Sequence, residues 1–123
     1  MNSIYCDIDV SQIVQTVSNY RFDLSCEKRL QSDFAVALQA EGIPYTREVT
    51  LGELGIVDFM VGKIAIECKL RGQRKMSIYR QLARYAEHPD VELLVLVTNI
   101  SMGLPQSING KPAFYVSLSH SWM

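Results

Sequence analysis

Between Gly55 and Leu70, apolar and polar residues alternate with period two on either side of Gly62-Lys63, the pattern of a β-hairpin. Gly62-Lys63 suits a two-residue turn of the Gly-X kind. Centred there, the turn sets Val61 opposite Ile64, Phe59 opposite Ile66 and Asp58 opposite Glu67. Alternation then predicts two faces. Val57, Phe59, Val61, Ile64, Ile66, Cys68 and Leu70 form a continuous core face. Ile56, Asp58, Met60, Ala65, Glu67 and Lys69 form the other.

The same patterning places the remaining elements. Val10, Ile13, Val14 and Val17 recur at helical spacing within residues 9–20, with Asp9 or Ser11 as cap. A second helix is expected from about Cys26 to Glu41, capped by Ser25 and ended by Gly42, with Leu30, Phe34 and Leu38 in the core. Residues 44–51 read as a strand that makes a meander with the hairpin. Arg71-Gly72 breaks the hairpin's second strand, and a helix follows from about Met76 to Glu87, stopped by His88-Pro89. Its Ile78, Leu82 and Tyr85 point inward. Leu93 to Thr98 is an apolar run suited to a strand buried on both faces. Ser101 to Lys111 is a turn-rich loop containing Asn109-Gly110, and Ala113 to Leu118 a last strand.

Length and composition narrow the class. The chain has 123 residues, the span of one domain, with 48% apolar and 20% charged residues, ordinary for a soluble globular protein. No apolar stretch is long enough for a bilayer, and the first residues lack a secretory pattern. Cys6, Cys26 and Cys68 are widely spaced, which predicts reduced, buried thiols and a cytoplasmic setting. The net charge is −1, yet Lys63, Lys69, Arg71, Arg74, Lys75, Arg80 and Arg84 fall in one segment opposed only by Glu67. Such a stripe is the footprint of a polyanion partner or, more simply, a solvated helix face.

Two carboxylates facing each other across a hairpin repel. A hard divalent cation such as Mg²⁺, held by one or two carboxylates and water, answers that repulsion. The backbone carbonyl of Cys68 is a further candidate oxygen ligand, and Lys69 a group to orient water or meet phosphate charge. The simpler reading of Asp58, Glu67 and Lys69 is a surface salt bridge. Glu27, in the first turn of its helix, is either a helix-dipole partner or an acid at the edge of the core. Gln81 and Tyr85 lie one turn apart and share a face, as do Arg80 and Arg84.

In order and type, these residues resemble the PD-(D/E)XK nuclease superfamily, in the subset that carries a Q-x-x-x-Y motif. The match runs over roughly residues 25–98: Glu27 on the first core helix, Asp58 before the turn, Glu67-Cys68-Lys69 after it, and Gln81-Leu-Ala-Arg-Tyr85 on the next helix. Val57 stands where the family name has proline. The resemblance implies a restriction-endonuclease-like α-β-β-β-α-β core, an α/β fold with a mixed sheet flanked by helices. The first helix and last strand are additions to it. It further implies a Mg²⁺-dependent deoxyribonuclease, with Mn²⁺ as substitute, that reads DNA shape or ends. Asp58, Glu67, Lys69, Gln81 and Tyr85 would serve catalysis, and Glu27, Asp58, Glu67 and Cys68 would hold metal. Gln81 and Tyr85 would orient Lys69 or the nucleic acid. Arg71, Arg74, Lys75, Arg80 and Arg84 would grip DNA phosphates. The alternatives are a non-catalytic binding or assembly subunit on the same fold, or an RNA-processing enzyme. A homodimer or larger assembly is expected as the working form, since one small domain makes few phosphate contacts. Phe114, Tyr115, Leu118 and Trp122 are the candidate interface.

Overall fold

The computed structural model describes residues 9–118. Cys6 and Trp122, singled out above, lie outside them. The elements are α1 (Val10–Asn19), α2 (Glu27–Ala40), β1 (Thr46–Thr50), a 3₁₀ turn (Gly52–Leu54), β2 (Ile56–Val61), β3 (Ile64–Lys69), α3 (Lys75–Tyr85), β4 (Leu93–Thr98), β5 (Ser107–Ile108) and β6 (Lys111–Ser117). The six strands form a mixed sheet in the order β1-β2-β3-β4-β6-β5. β1, β2 and β3 are an antiparallel meander, whereas β3, β4 and β6 run parallel.

Local chemistry accounts for most boundaries. Asp9 caps α1 through a capping box with Gln12. Thr16, although polar, is buried there because its hydroxyl donates to the Gln12 carbonyl one turn back, at 2.8 Å. The N-cap of α2 is Cys26 and not Ser25, and no side chain caps it. Ser25 is instead drawn into a turn in which its amide donates to Asp23 Oδ1. Cys68 is buried but Cys26 is exposed, so the expectation of buried thiols fails at Cys26. In the β2–β3 turn Gly62 takes φ 58°, the left-handed backbone that favours glycine. The predicted partners Val61–Ile64 and Phe59–Ile66 are paired. β5 is a two-residue strand inside the segment read as loop. The Asn109-Gly110 turn folds it back on β6, both residues at positive φ.

Helices cover both faces of the sheet. α1 and α2 pack Ile13, Val17, Leu30, Phe34 and Leu38 onto Phe59, Ile66, Cys68, Val95, Val97 and Val116. Phe34 sits between Phe22 and Phe59, edge-on to the latter at 5.0 Å between ring centres. α3 packs Ile78, Leu82 and Tyr85 onto Met60, Ala65, Leu94 and Leu96. Val57 also packs on the α3 side, not with Phe59 as strict alternation predicts. Among the described residues, no helix is long and apolar enough to cross a membrane.

The candidate interface changes as well. Leu118 is fully buried against the α1/α2 side of the sheet, because β6 joins the core as a parallel neighbour of β4. It cannot offer surface to a second copy. Phe114 and Tyr115 keep 40% and 37% of their surface exposed.

Candidate active site

The hairpin is broken at one residue, and that break makes the site. β1 and β2 pair on either side of Asp58, at Arg47–Phe59 and Val49–Val57, but Glu48 and Asp58 do not pair. Glu48 holds φ 53°, left-handed and strained for a residue with a Cβ. On its other side, β2 stops pairing with β3 after Phe59–Ile66. Side chains replace the missing ladder: the Asp58 amide donates to Glu67 Oε1 at 3.1 Å, and the Cys68 amide donates to Asp58 Oδ2 at 2.8 Å. The slip of alternation at Val57 follows from this interruption. Asp58 and Glu67 are thereby brought together, each carboxylate gripping the other strand's backbone.

Lys69 and Tyr85 complete the cluster. Lys69 Nζ lies 3.5 Å from Glu67 Oε2, and the Tyr85 hydroxyl approaches the same oxygen at 3.5 Å. Tyr85 donates a shorter bond, 2.7 Å, to the Ile56 carbonyl at the start of β2. A Cβ at Gly55 would stand 3.2 Å from the Tyr85 ring, so a glycine at φ 125° is what lets the ring close over this end of the strand. Tyr85 is completely buried, which removes it from any contact with nucleic acid. Its reach to Lys69 runs through Glu67. Gln81, one turn back on α3, pulls the phenol's pKa down against the larger effect of burial.

Burial dominates the electrostatics. Only 2% of Glu67 is exposed, and its carboxyl is pushed up to about 8, first by burial and then by Asp58, against the pull of Lys69. Asp58 is raised too, by burial first and by the charges of Glu27 and Glu48, while the Cys68 amide and Lys69 oppose the shift. Burial and the Glu67 charge raise the Tyr85 phenol, which therefore stays a donor. Two adjacent carboxylates, one buried and one half-buried, suit a hard cation that keeps much of its own water.

Glu27 does not join them directly. Its Oε2 accepts from the Leu70 amide at 3.3 Å and from Gln73 Nε2 at 3.1 Å, binding α2 to the loop that follows Lys69. Among the described residues no group of three or more His, Cys, Asp or Glu is placed to hold a metal ion. Of the expected set of Glu27, Asp58, Glu67 and the Cys68 carbonyl, Asp58 and Glu67 are brought together on the hairpin, while the Glu27 side chain is engaged with the loop after Lys69.

No family model, curated protein or solved structure matches the chain.

Arg71, Arg74, Lys75, Arg80 and Arg84 are all exposed. Arg84 alone among them is partly engaged, donating through Nε to the Leu54 carbonyl at 3.4 Å. Three residues of the site had no reading in the sequence. Glu48 and Gln73 carry no local signal. Asn99 does: a polar amide directly after an apolar strand run often sits where ligands meet the strand ends. Its Oδ1 accepts from the Arg71 amide at 2.9 Å.

Proposed function

We propose that this chain is a divalent-metal-dependent nuclease that hydrolyses DNA phosphodiester bonds, on a restriction-endonuclease-like core. The observation that carries the reading is the pair of half-buried Asp58 and buried Glu67, each tied to the other strand's backbone, with Lys69 Nζ 3.5 Å from Glu67. The order α2-β1-β2-β3-α3-β4 is the one such a core requires. The acid pair fits Mg²⁺ or Mn²⁺, since burial and neighbouring carboxylates hold both carboxyls above their ordinary range even beside Lys69, and a divalent cation would offset both effects. When bound, the ion supplies Lewis acidity, activating water and offsetting charge on the phosphate.

The chain's own groups do the rest. Glu67 fixes the Lys69 ammonium, which has 14% side-chain exposure and so faces the site while still reaching solvent. There it orients a water or meets a phosphate oxygen. Arg71, Arg74, Lys75, Arg80 and Arg84 hold phosphates without reading bases. Tyr85 braces Glu67 against the Ile56 carbonyl. Two copies joined through the exposed Phe114 and Tyr115 would double the phosphate contacts, and light scattering at micromolar concentration tests that assembly.

Cleavage of linear, nicked, branched and single-stranded DNA by the purified protein, with Mg²⁺, Mn²⁺ or EDTA, tests the proposal. Metal-dependent cleavage is expected. Binding without cleavage under every metal would point to the non-catalytic subunit instead.

Two variants probe the braces. Tyr85→Phe loses only the hydroxyl, and should cost about 0.5–1.5 kcal/mol in urea unfolding. Its cleavage rate should fall about 10–100-fold, as for other groups that orient a ligand from behind. Glu27→Ala frees the Leu70 amide and Gln73 together, and a comparable fall in rate is expected. Glu27→Gln keeps an acceptor oxygen for the Leu70 amide and should retain most activity. Equal loss in both variants, measured across a Mg²⁺ titration, would show that the Glu27 charge itself is required.

A further inference from the structure

Besides the acid pair the chain has a polar cavity of about 430 Å³, to which Glu27 and Arg71 both contribute. It opens outside the carboxyl ends of the parallel strands β3 and β4, where the chain leaves for α3 on one face and α2 begins on the other. Ligands favour that position in sheets with parallel strands. Ser25, Cys26, Glu27, Arg71, Gln73 and Asn99 supply its polar wall.

The wall is built rather than incidental. Glu27 holds the Leu70 amide and Gln73, and Asn99 holds the Arg71 amide, so the loop after Lys69 is clamped from α2 and from the end of β4. Those clamps also decide which polar ends remain. Asn99 accepts through Oδ1 and has its NH₂ to donate. Gln73 donates through Nε2 and has its carbonyl to accept. The exposed Arg71 guanidinium adds donors. No aromatic ring lines the cavity, so nothing there stacks a base.

We propose that this cavity is a nucleotide subsite that takes the sugar and phosphate of the unit next to the scissile bond. The inference rests on the nuclease reading for its place in the reaction, but not for its ligand chemistry. Arg71 and the Asn99 NH₂ meet the phosphate, and the Gln73 carbonyl accepts from a sugar hydroxyl. Without a stacking platform the subsite accepts every base alike. Leu70, which lines it, directly follows Lys69 in the chain.

The test is a titration of the isotope-labelled full chain in metal-free buffer, followed by NMR. Thymidine 5′-monophosphate and deoxyadenosine 5′-monophosphate should shift the side-chain amides of Gln73 and Asn99 saturably, with similar affinity. Inorganic phosphate and thymidine should each bind more weakly than the nucleotide. Ser25→Trp, which fills the cavity from an exposed position, should remove the shifts. Arg71→Gln, an exposed change that leaves the packing intact, should weaken them. No saturable shift at millimolar nucleotide, shifts confined to another surface, or unchanged binding in both variants overturns the subsite. Nucleotide binding here, in a protein that cleaves no DNA under any metal, would sustain the subsite and sink the nuclease reading. Metal-dependent cleavage without nucleotide binding does the reverse.

Discussion

Replacing Glu67 with glutamine is expected to stop DNA cleavage and, in metal-free buffer above neutral pH, to raise the melting temperature. The two effects have one source. Glu67 is almost wholly buried beside Asp58, and its environment disfavours the charged form even with Lys69 3.5 Å away. Glutamine keeps the shape, accepts from the Asp58 amide through its oxygen, and removes the charge. The ammonium of Lys69 loses a partner, but it retains contact with solvent, so relief of the buried repulsion outweighs that loss. For catalysis the balance reverses. A missing ligand to the ion removes several kcal/mol of transition-state stabilisation, roughly 10³-fold or more in rate. Cleavage assays and thermal melts on one preparation read both. Wild-type activity in Glu67→Gln would end the catalytic assignment.

The second large effect is a fall in stability of the metal-free protein as pH rises. Glu67 titrates near 4.5 when unfolded and at about 8 when folded. Between those values the native state holds a proton that the unfolded state has released, so stability drops with each step in pH. The contribution is complete below about pH 4.5 and lost by about pH 8, and is on the order of a few kcal/mol. Asp58, also raised, acts in the same direction. Asp9 and Asp23 are held low, and their stabilisation is lost only in acid, below this window. Urea midpoints in EDTA should therefore decline through this range, and Glu67→Gln should flatten the decline. Added Mg²⁺ should oppose it, because the ion competes with protons for the same oxygens. A midpoint that climbs through the same range would contradict the buried acid pair.

The hairpin was legible in the sequence because its determinants are local. Gly62 at the turn and β-branched residues on both sides set the register, and the register alone puts Asp58 across from Glu67. What could not be read is the break at Asp58. It depends on the left-handed backbone of Glu48, a residue with no intrinsic preference for that conformation, and on carboxylates standing in for ladder bonds. Val57 consequently appears on the wrong face in any reading by alternation. Leu118 misled for a related reason. The run Phe114-Tyr-Val-Ser-Leu118 is apolar on both sides, so no pattern separates the buried Val116 and Leu118 from the exposed Phe114 and Tyr115. Glu27 was placed on the right helix turn, but its partners, Leu70 and Gln73, are more than forty residues away.

Glu48 has one more consequence, for how the folded chain behaves among its own copies. β1 is an outer strand of the sheet, and an outer strand offers a row of amides and carbonyls on which another chain can pair. A regular β1 of five residues would present that row unbroken. Turning Glu48 left-handed bends the row at its midpoint and sets an exposed carboxylate there, with Arg47 beside it. The kink that frees Asp58 from pairing therefore also spoils the template for edge-to-edge aggregation. The strain at one residue serves solubility and the acid pair together, so a substitution that straightened β1 would put both at risk.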